Sequence, residues 1–128
     1  MARKTVHSND APKAIGPYSQ AVQVDAGKLT FLSGQIPLDP KTMELVPGDV
    51  VAQAEQVMKN LGAVLEGAGL DFSHVVRCTI FLTDLGDFAR VNEVYGRAFP
   101  GEPPARATVQ VAALPRGSKV EIDAIAVS

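Results

Sequence analysis

Two consecutive prolines near the end of the chain, Pro103 and Pro104, constrain its fold more than any other feature of the sequence. Proline fixes φ and has no backbone donor, so any regular element before this pair must end there. Residues 105–111 then alternate between apolar and polar side chains, which predicts a β-strand. A Pro/Gly turn at residues 114–118 and a second strand pattern over residues 119–127 predict that this strand is half of a hairpin.

The predicted hairpin would bring a cation and a carboxylate close together. Strand side chains alternate between faces, so Arg106 and Thr108 share one face of the first strand. Glu121 lies on the returning strand, where it could act as a base beside a guanidinium that binds an anion. The alternative is a surface pair of opposite charges, which would contribute little to stability. These residues alone leave both interpretations open.

Two helices are predicted within a chain that otherwise favours strands. Asp49 is a good N-cap, and apolar residues recur after it at helical spacing as far as Ala68. A second helix follows Asp87 and stops at Pro100. Further strands are predicted at residues 5–7, 21–24, 29–33 and 74–82, with a hairpin turn at residues 25–28 between the second and the third. The order predicts an α+β fold with about six strands and two helices that cover one face of a mixed sheet.

Apolar residues on both faces of the predicted sheet indicate an oligomer. Val75 and Phe81 alternate with equally apolar neighbours, and Ile125 and Val127 do so in the last strand. Two helices can cover only one face, so another subunit is expected to cover the second. The chain is therefore predicted to associate with copies of itself, in a number that the two apolar faces leave open.

Composition and motifs exclude several classes of function. The net charge is −2 and no basic block is present, which does not favour nucleic-acid binding. No run approaches the roughly 20 apolar residues that a membrane span requires. His7 and His74 lack the partners of a zinc site, and no phosphate loop or nucleophile elbow occurs. The single cysteine, Cys78, is expected to be a buried, inert thiol and suits a reducing cytoplasm.

Three further segments could contribute to a ligand site. Gly16-Pro17 constrains the loop that presents Tyr18, which could equally be a half-buried aromatic residue. Ser33-Gly34 ends a strand where a backbone without a side chain could approach a ligand, although a glycine there is more often a bulge. Asn92 interrupts the apolar stripe of the second helix, so its amide must serve a pocket or tie down a loop.

Four ordered segments resemble the YjgF/RidA family of enamine/imine deaminases and together span most of the chain. The most specific combines Pro104-Ala105-Arg106 with Val120-Glu121-Ile122 at the family's spacing. The others are residues 14–21, 32–37 and 84–92. The resemblance implies a chorismate-mutase-like α+β fold over a single domain, residues 1–128. It also implies a homotrimer with ligand clefts between its subunits.

The resemblance further implies a reaction and a set of site residues. The substrates would be 2-imino and 2-enamino acids, such as 2-aminoacrylate released by pyridoxal-phosphate enzymes, which are hydrolysed to 2-oxo acids and ammonia. Arg106 would hold the substrate carboxylate, and Glu121 would activate the attacking water. The remaining cleft residues would be Tyr18, Ser33, Gly34, Asn92 and Thr108. No metal or organic cofactor is expected, because an imine is already electrophilic.

Thr108 departs from the family pattern, in which many members carry cysteine at this position. A role for a thiol is therefore excluded here, whereas a role for the backbone carbonyl is not. A second hypothesis is a non-catalytic trimer that binds small 2-oxo or amino acids through Arg106. A third is the chaperone-like or ribonuclease activity attributed to some family members, which the net charge of −2 does not favour.

Overall fold

A computed structural model describes residues 3–25 and 27–128 of the chain. Within these residues the structure contains six strands, two α-helices and three short 3₁₀ turns. In chain order the elements are β1 (Arg3–Val6), β2 (Ala21–Val24), β3 (Leu29–Gln35), α1 (Val50–Gly67), β4 (Val75–Leu82), α2 (Phe88–Gly96), β5 (Ala105–Gln110) and β6 (Val120–Val127). The 3₁₀ turns are Phe72–His74, Leu85–Asp87 and Pro115–Gly117. Neither α-helix is long and apolar enough to cross a membrane.

Helix α1 begins and ends as its sequence predicts. The Asp49 carboxylate accepts a hydrogen bond from the backbone N–H of Ala52 at 3.1 Å, which satisfies a donor of the first turn. At the other end Gly69 adopts φ +74, a conformation that favours glycine. The N–H of Leu70 then reaches the carbonyl of Leu65 at 2.8 Å, which closes the helix in a Schellman-type arrangement.

The main sheet has four strands in the order β3-β6-β4-β5, with β4 and β5 parallel and the other pairs antiparallel. Both helices cover the same face of this sheet and form the core with it. The largest fully buried side chains there come from both layers: Leu61, Leu65, Ile80, Leu82, Tyr95 and Ile122. The predicted α+β class, with six strands and two helices, is confirmed, although the strands are divided between two sheets.

The predicted hairpin of the last two strands is wrong, because β4 lies between β5 and β6. Strands β4 and β6 bury every second residue and fill the centre of the sheet, where both of their edges are paired. Strand β5 carries the half-buried Arg106 and ends in the exposed residues Val109 and Gln110. It therefore takes the edge, in parallel with β4 after the crossover through α2.

The predicted hairpin of the second and third strands is also wrong. Strand β2 pairs with β1 in a separate two-stranded sheet, while β3 pairs with β6. Lys28 and Ser128 exchange backbone hydrogen bonds at 2.9 and 3.0 Å, which extend the pairing of β3 with β6. Part of the predicted turn, Ala26, lies outside the described residues.

The face of the main sheet opposite the helices, which we call the open face, carries exposed apolar side chains. Leu29 is 57% exposed, Phe31 71% and Val109 40%. Exposed large apolar groups grouped on one side of a sheet are typical of an interaction surface. The sequence-based expectation that another subunit covers this face stays a prediction.

Candidate functional site

Arg106 lies where β5 meets α2, on the face of the sheet that the helices cover. Its partner in the parallel register is Cys78 of β4, whose side chain is buried in the core. A loop is fixed over the start of β5, since the backbone N–H of Ser19 donates to the carbonyl of Pro104 at 3.1 Å and its hydroxyl donates to the carbonyl of Pro103. These bonds hold the neighbouring Tyr18 beside Arg106.

Three aromatic rings and one amide surround the Arg106 guanidinium. Its Cζ lies over the rings of Tyr18, Phe88 and Tyr95, at 5.5, 5.4 and 5.2 Å from their centroids. Cations at such distances are attracted by the negative ring faces. One guanidinium nitrogen, Nη1, donates to Asn92 Oδ1 at 2.7 Å. The predicted residues Arg106, Tyr18 and Asn92 therefore form one cluster, to which α2 adds Phe88 and Tyr95.

Arg106 lacks a counter-ion in the part of the chain that the structure describes. Each ion pair found among residues 3–25 and 27–128 involves other groups. Burial lowers the pKa of Arg106, because desolvation disfavours its charged form. An arginine nevertheless stays protonated at neutral pH, since its ordinary pKa lies far above neutrality. A half-buried cation without an anionic partner is suited to bind an anion.

A small pocket opens beside this cation. Its volume is about 280 Å³. It is lined by Ile15, Gly16, Tyr18, Phe88, Ala89, Asn92 and Arg106. Apolar walls around one charged group are typical of sites for small organic anions. The pocket can therefore take a carboxylate at Arg106 and an aliphatic group along its walls.

Glu121 and Gly34 form a second cluster, on the open face. In the antiparallel register Glu121 is opposite Phe81, which lies three residues beyond Cys78 on β4 and hence on the other face of the sheet. The register of β3 and β6 shifts between Leu32 and Gln35, so the Ser33–Gly34 segment is a bulge. A Cβ added to Gly34 would lie 2.9 Å from the carboxyl carbon of Glu121. Only a glycine allows the backbone to approach this carboxylate so closely.

The two clusters lie on opposite faces of the sheet, so one chain does not bring the predicted residues together. Tyr18, Asn92 and Arg106 form the first cluster, and Ser33, Gly34 and Glu121 belong to the second. The expectation that Glu121 would stand beside Arg106 within one chain is wrong, since it depended on a hairpin that does not form.

Thr108 lies on the same face of the sheet as Arg106. In the parallel register it is opposite Ile80, a buried core residue of β4. Its hydroxyl is buried without a hydrogen-bond partner among the residues described. The side chain therefore carries an unused polar atom, two positions along the strand from the guanidinium.

The Cys78 thiol is an unsuitable nucleophile. Its side chain is 2% exposed, which confirms the predicted burial, and burial raises the pKa of Cys78 to about 11. The Tyr95 hydroxyl lies near enough to affect this pKa, and burial raises the pKa of Tyr95 as well. The Tyr95 hydroxyl has no well-formed hydrogen bond within the described residues. The Cys78 thiol and the Tyr95 hydroxyl are therefore in close contact without a well-formed hydrogen bond.

Sequence reasoning missed Phe88 and Tyr95 as part of the site. Both lie on the apolar stripe of the second helix that Asn92 interrupts, a pattern that predicts core packing. The signal that could have identified them is the spacing of one amide between two aromatic residues, at i, i+4 and i+7, on a face otherwise expected to be core.

The chain is similar over nearly its whole length to one family model, to known sequences and to solved structures. The family model described as Endoribonuclease L-PSP matches residues 8–128. Protein DfrA of Myxococcus xanthus is 86% identical over 128 residues, which cover 100% of this chain and 98% of that protein. The 2-iminobutanoate/2-iminopropanoate deaminase of Mus musculus is 58% identical over 127 residues, with 99% of this chain and 93% of the relative covered. The crystal structure of Escherichia coli TdcF with bound serine is 46% identical, covers 98% of each chain and has a TM-score of 0.75.

Proposed function

Since this chain belongs to the YjgF/RidA family, we propose that it hydrolyses small 2-imino acids, and the 2-enamino acids from which they form, to 2-oxo acids and ammonia. Relatives at 49% to 58% identity are named 2-iminobutanoate/2-iminopropanoate deaminase. The observation that carries the proposal is the half-buried Arg106 guanidinium, which has no carboxylate partner among residues 3–25 and 27–128. A 2-imino acid would supply that carboxylate.

Arg106 would bind the substrate carboxylate through the donors that Asn92 leaves free. The amide oxygen of Asn92 accepts from Nη1 alone, and a guanidinium has five N–H groups in a planar fork. A fork of this kind binds a carboxylate in a bidentate manner, which fixes the orientation of the substrate as well as its position. The surrounding rings exclude water, which strengthens this electrostatic contact.

We further propose that a second copy of the chain completes each site by bringing its Ser33, Gly34 and Glu121 to the Arg106 cluster of the first. Two observations support this. The two clusters lie on opposite faces of one sheet, and the open face next to Glu121 exposes the apolar residues Leu29 and Phe31. Contact between two different surfaces is heterologous, and it gives a closed ring when the rotation between successive copies closes. The family resemblance favours three copies, with one site at each interface.

In the proposed reaction Glu121 takes a proton from a water molecule that attacks C2 of the protonated imine. The new C–O bond gives a tetrahedral carbinolamine, and the C=N π electrons move to the nitrogen. Glu121 then returns the proton to the amino group, and as the C–N bond breaks the hydroxyl proton passes to the departing nitrogen, which leaves as ammonium while C2 becomes a ketone. The backbone at Gly34 and the carbonyl of Thr108 would hold the nitrogen end of the substrate. The protein's part is to position the water and transfer one proton.

A second candidate is a binding protein without catalytic activity, which would use the same cluster for 2-oxo or amino acids. The relative TdcF crystallised with bound serine favours it, because serine carries the carboxylate that Arg106 would hold. Ribonuclease activity, which the description of the family model suggests, is less favoured. A nucleic-acid site neutralises many phosphates, whereas this pocket of about 280 Å³ holds one cation.

An assay of imine hydrolysis separates these candidates. An amino acid oxidase would generate 2-iminopropanoate from alanine or 2-iminobutanoate from 2-aminobutanoate, and the release of 2-oxo acid would be followed over time. Imines also hydrolyse spontaneously, so the expected result is a rate above that of the oxidase alone and proportional to the protein added. Calorimetric binding of 2-oxobutanoate without any acceleration of imine hydrolysis would establish the binding protein instead.

A further inference from the structure

We propose that Tyr95 is a positioning residue for Arg106: its buried ring is the fixed floor of an aromatic cage that holds the guanidinium in the orientation for binding a carboxylate. The role given to the carboxylate rests on the proposed function, whereas the cage itself does not. Tyr95 would act through Arg106 and would not touch the substrate, since its side chain is only 1% exposed.

Helix α2 builds most of this cage from three residues on one face. Phe88, Asn92 and Tyr95 are spaced four and three residues apart, so their side chains follow one another along the helix. Phe88 and Tyr95 place their rings 5.4 and 5.2 Å from the Arg106 Cζ. Asn92, between them, accepts the hydrogen bond from Nη1. One rigid element therefore determines both where the guanidinium lies and how its plane is turned.

Tyr95 is the member of the cage that the core holds most firmly. Its ring packs against Phe99 at 4.9 Å, and Phe99 in turn meets Phe72 edge-on at 5.5 Å. Tyr18 and Phe88 are both partly exposed, and Tyr18 lies in a loop. The Tyr95 side chain is 1% exposed and close-packed in the core, so its ring has less freedom to move than the partly exposed rings of Tyr18 and Phe88. We therefore assign the positioning role to Tyr95 in preference to Tyr18 and Phe88.

The aromatic ring of Tyr95 supplies the interaction, and the hydroxyl does not. The hydroxyl has no hydrogen-bond partner in the described part of the chain. The ring face, in contrast, compensates part of the hydration that the half-buried cation has lost. This explains how Arg106 is held charged although its one polar contact among residues 3–25 and 27–128 is with Asn92. Phenylalanine should replace Tyr95 adequately, whereas an aliphatic side chain should not.

The test compares Tyr95→Phe, Tyr95→Leu and the control Phe72→Leu. Phe72→Leu removes an aromatic ring from the same core, but Phe72 pairs with Phe99 instead of Tyr95 and is not one of the rings around Arg106. We expect Tyr95→Leu to weaken binding of 2-oxobutanoate about 3- to 30-fold, the range of a partly desolvated cation–π contact. We expect Tyr95→Phe and Phe72→Leu to stay within about twofold of the unmodified protein in binding.

A double substitution shows whether Tyr95 acts through Arg106. In an Arg106→Met background the cation is absent, so adding Tyr95→Leu should weaken binding by less than about twofold. An equal loss of binding in both backgrounds would show that the ring contributes only to the general fold and would overturn the proposal. If Tyr95→Leu does not fold, Tyr95→Met takes its place, since methionine fills irregular core space.

A measurement without ligand keeps the cage testable even if the proposed function fails. In ¹⁵N-labelled protein the Arg106 Nε–H signal, assigned by its loss in Arg106→Lys, should be displaced by ring currents. It should return towards the position of a free arginine in Tyr95→Leu and stay in place in Tyr95→Phe. An undisplaced signal in the unmodified protein would refute the cage. A displaced signal in a protein that neither binds 2-oxobutanoate nor accelerates imine hydrolysis would refute only the proposed function.

Discussion

At the scale of single residues, the proposed chemistry gives different tasks to a cation and a carboxylate. Arg106 is half-buried among rings and bound to Asn92, which suits a residue that orients an anion. Glu121 lies on the open face with its carboxylate against the backbone of Gly34, and we propose that it accepts a proton there. Substitutions that keep size but change chemistry should separate binding from turnover.

We expect Arg106→Lys to weaken binding of 2-oxobutanoate about 10- to 100-fold, because an ammonium cannot replace the bidentate fork and a charge-assisted hydrogen bond is lost. Glu121→Gln should keep binding within a few-fold while kcat for imine hydrolysis collapses, because an amide cannot take a proton from water. Calorimetry and the imine assay on both variants measure the two effects. Undiminished binding by Arg106→Lys, or near-normal turnover by Glu121→Gln, would disprove the role of that residue.

At the scale of elements, the bulge in β3 determines where the Glu121 carboxylate can lie. The register of β3 and β6 shifts at Ser33–Gly34, and the backbone of Gly34 faces Glu121 with no side chain between them. An added methyl group would meet the flexible end of Glu121 instead of the backbone. The substitution Gly34→Ala should therefore displace the Glu121 carboxylate and leave the strand pairing of the sheet unchanged.

We expect Gly34→Ala to lower kcat at least tenfold while the midpoint of thermal unfolding changes little, because the carboxylate moves and the strands do not. Gly67→Ala, at the end of α1, is the matched control, since an added Cβ there meets nothing within 4 Å. Alanine favours a helix over glycine by about 1 kcal/mol, so the control should keep its activity and gain slight stability. A large loss of stability in Gly34→Ala would mean that the glycine supports the fold and not the site.

At the scale of the whole molecule, the two clusters on opposite faces of one sheet require an assembly if they are to act together. The exposed apolar groups of the open face, with Phe31 at 71% exposure, provide a surface for it. In a ring, each interface would take Arg106 from one copy and Glu121 from the next. Two inactive variants, one without Arg106 and one without Glu121, could then form mixed rings that recover activity.

We expect co-expressed Arg106→Lys and Glu121→Gln chains to regain activity that neither variant has alone. In a randomly mixed ring about a quarter of the interfaces would pair an intact Arg106 with an intact Glu121. Sedimentation of the mixed protein should show a trimer at micromolar concentration. A stable, folded monomer, or a mixed trimer without restored activity, would contradict a site shared between copies.

Much of the local structure could be predicted from the sequence, because it depends on neighbouring residues. The Asp49 cap and the 3.6-residue period define α1, and Pro103-Pro104 defines the start of β5. The two-residue alternation correctly assigned Arg106 and Thr108 to one face of their strand. Four short motifs identified the family, which the family model matching residues 8–128 confirms.

Only the tertiary structure decided which strands are neighbours and which face of the sheet each residue of the site occupies. Strand β4 separates β5 from β6, so Glu121 and Arg106 lie on opposite sides of the sheet although their strands follow one another in the chain. The stripe of α2 likewise predicted burial for Phe88 and Tyr95 without showing that Arg106 would lie against them. The physical reason is that periodicity reports which side of an element is apolar. The packing of all the elements together decides what that side meets.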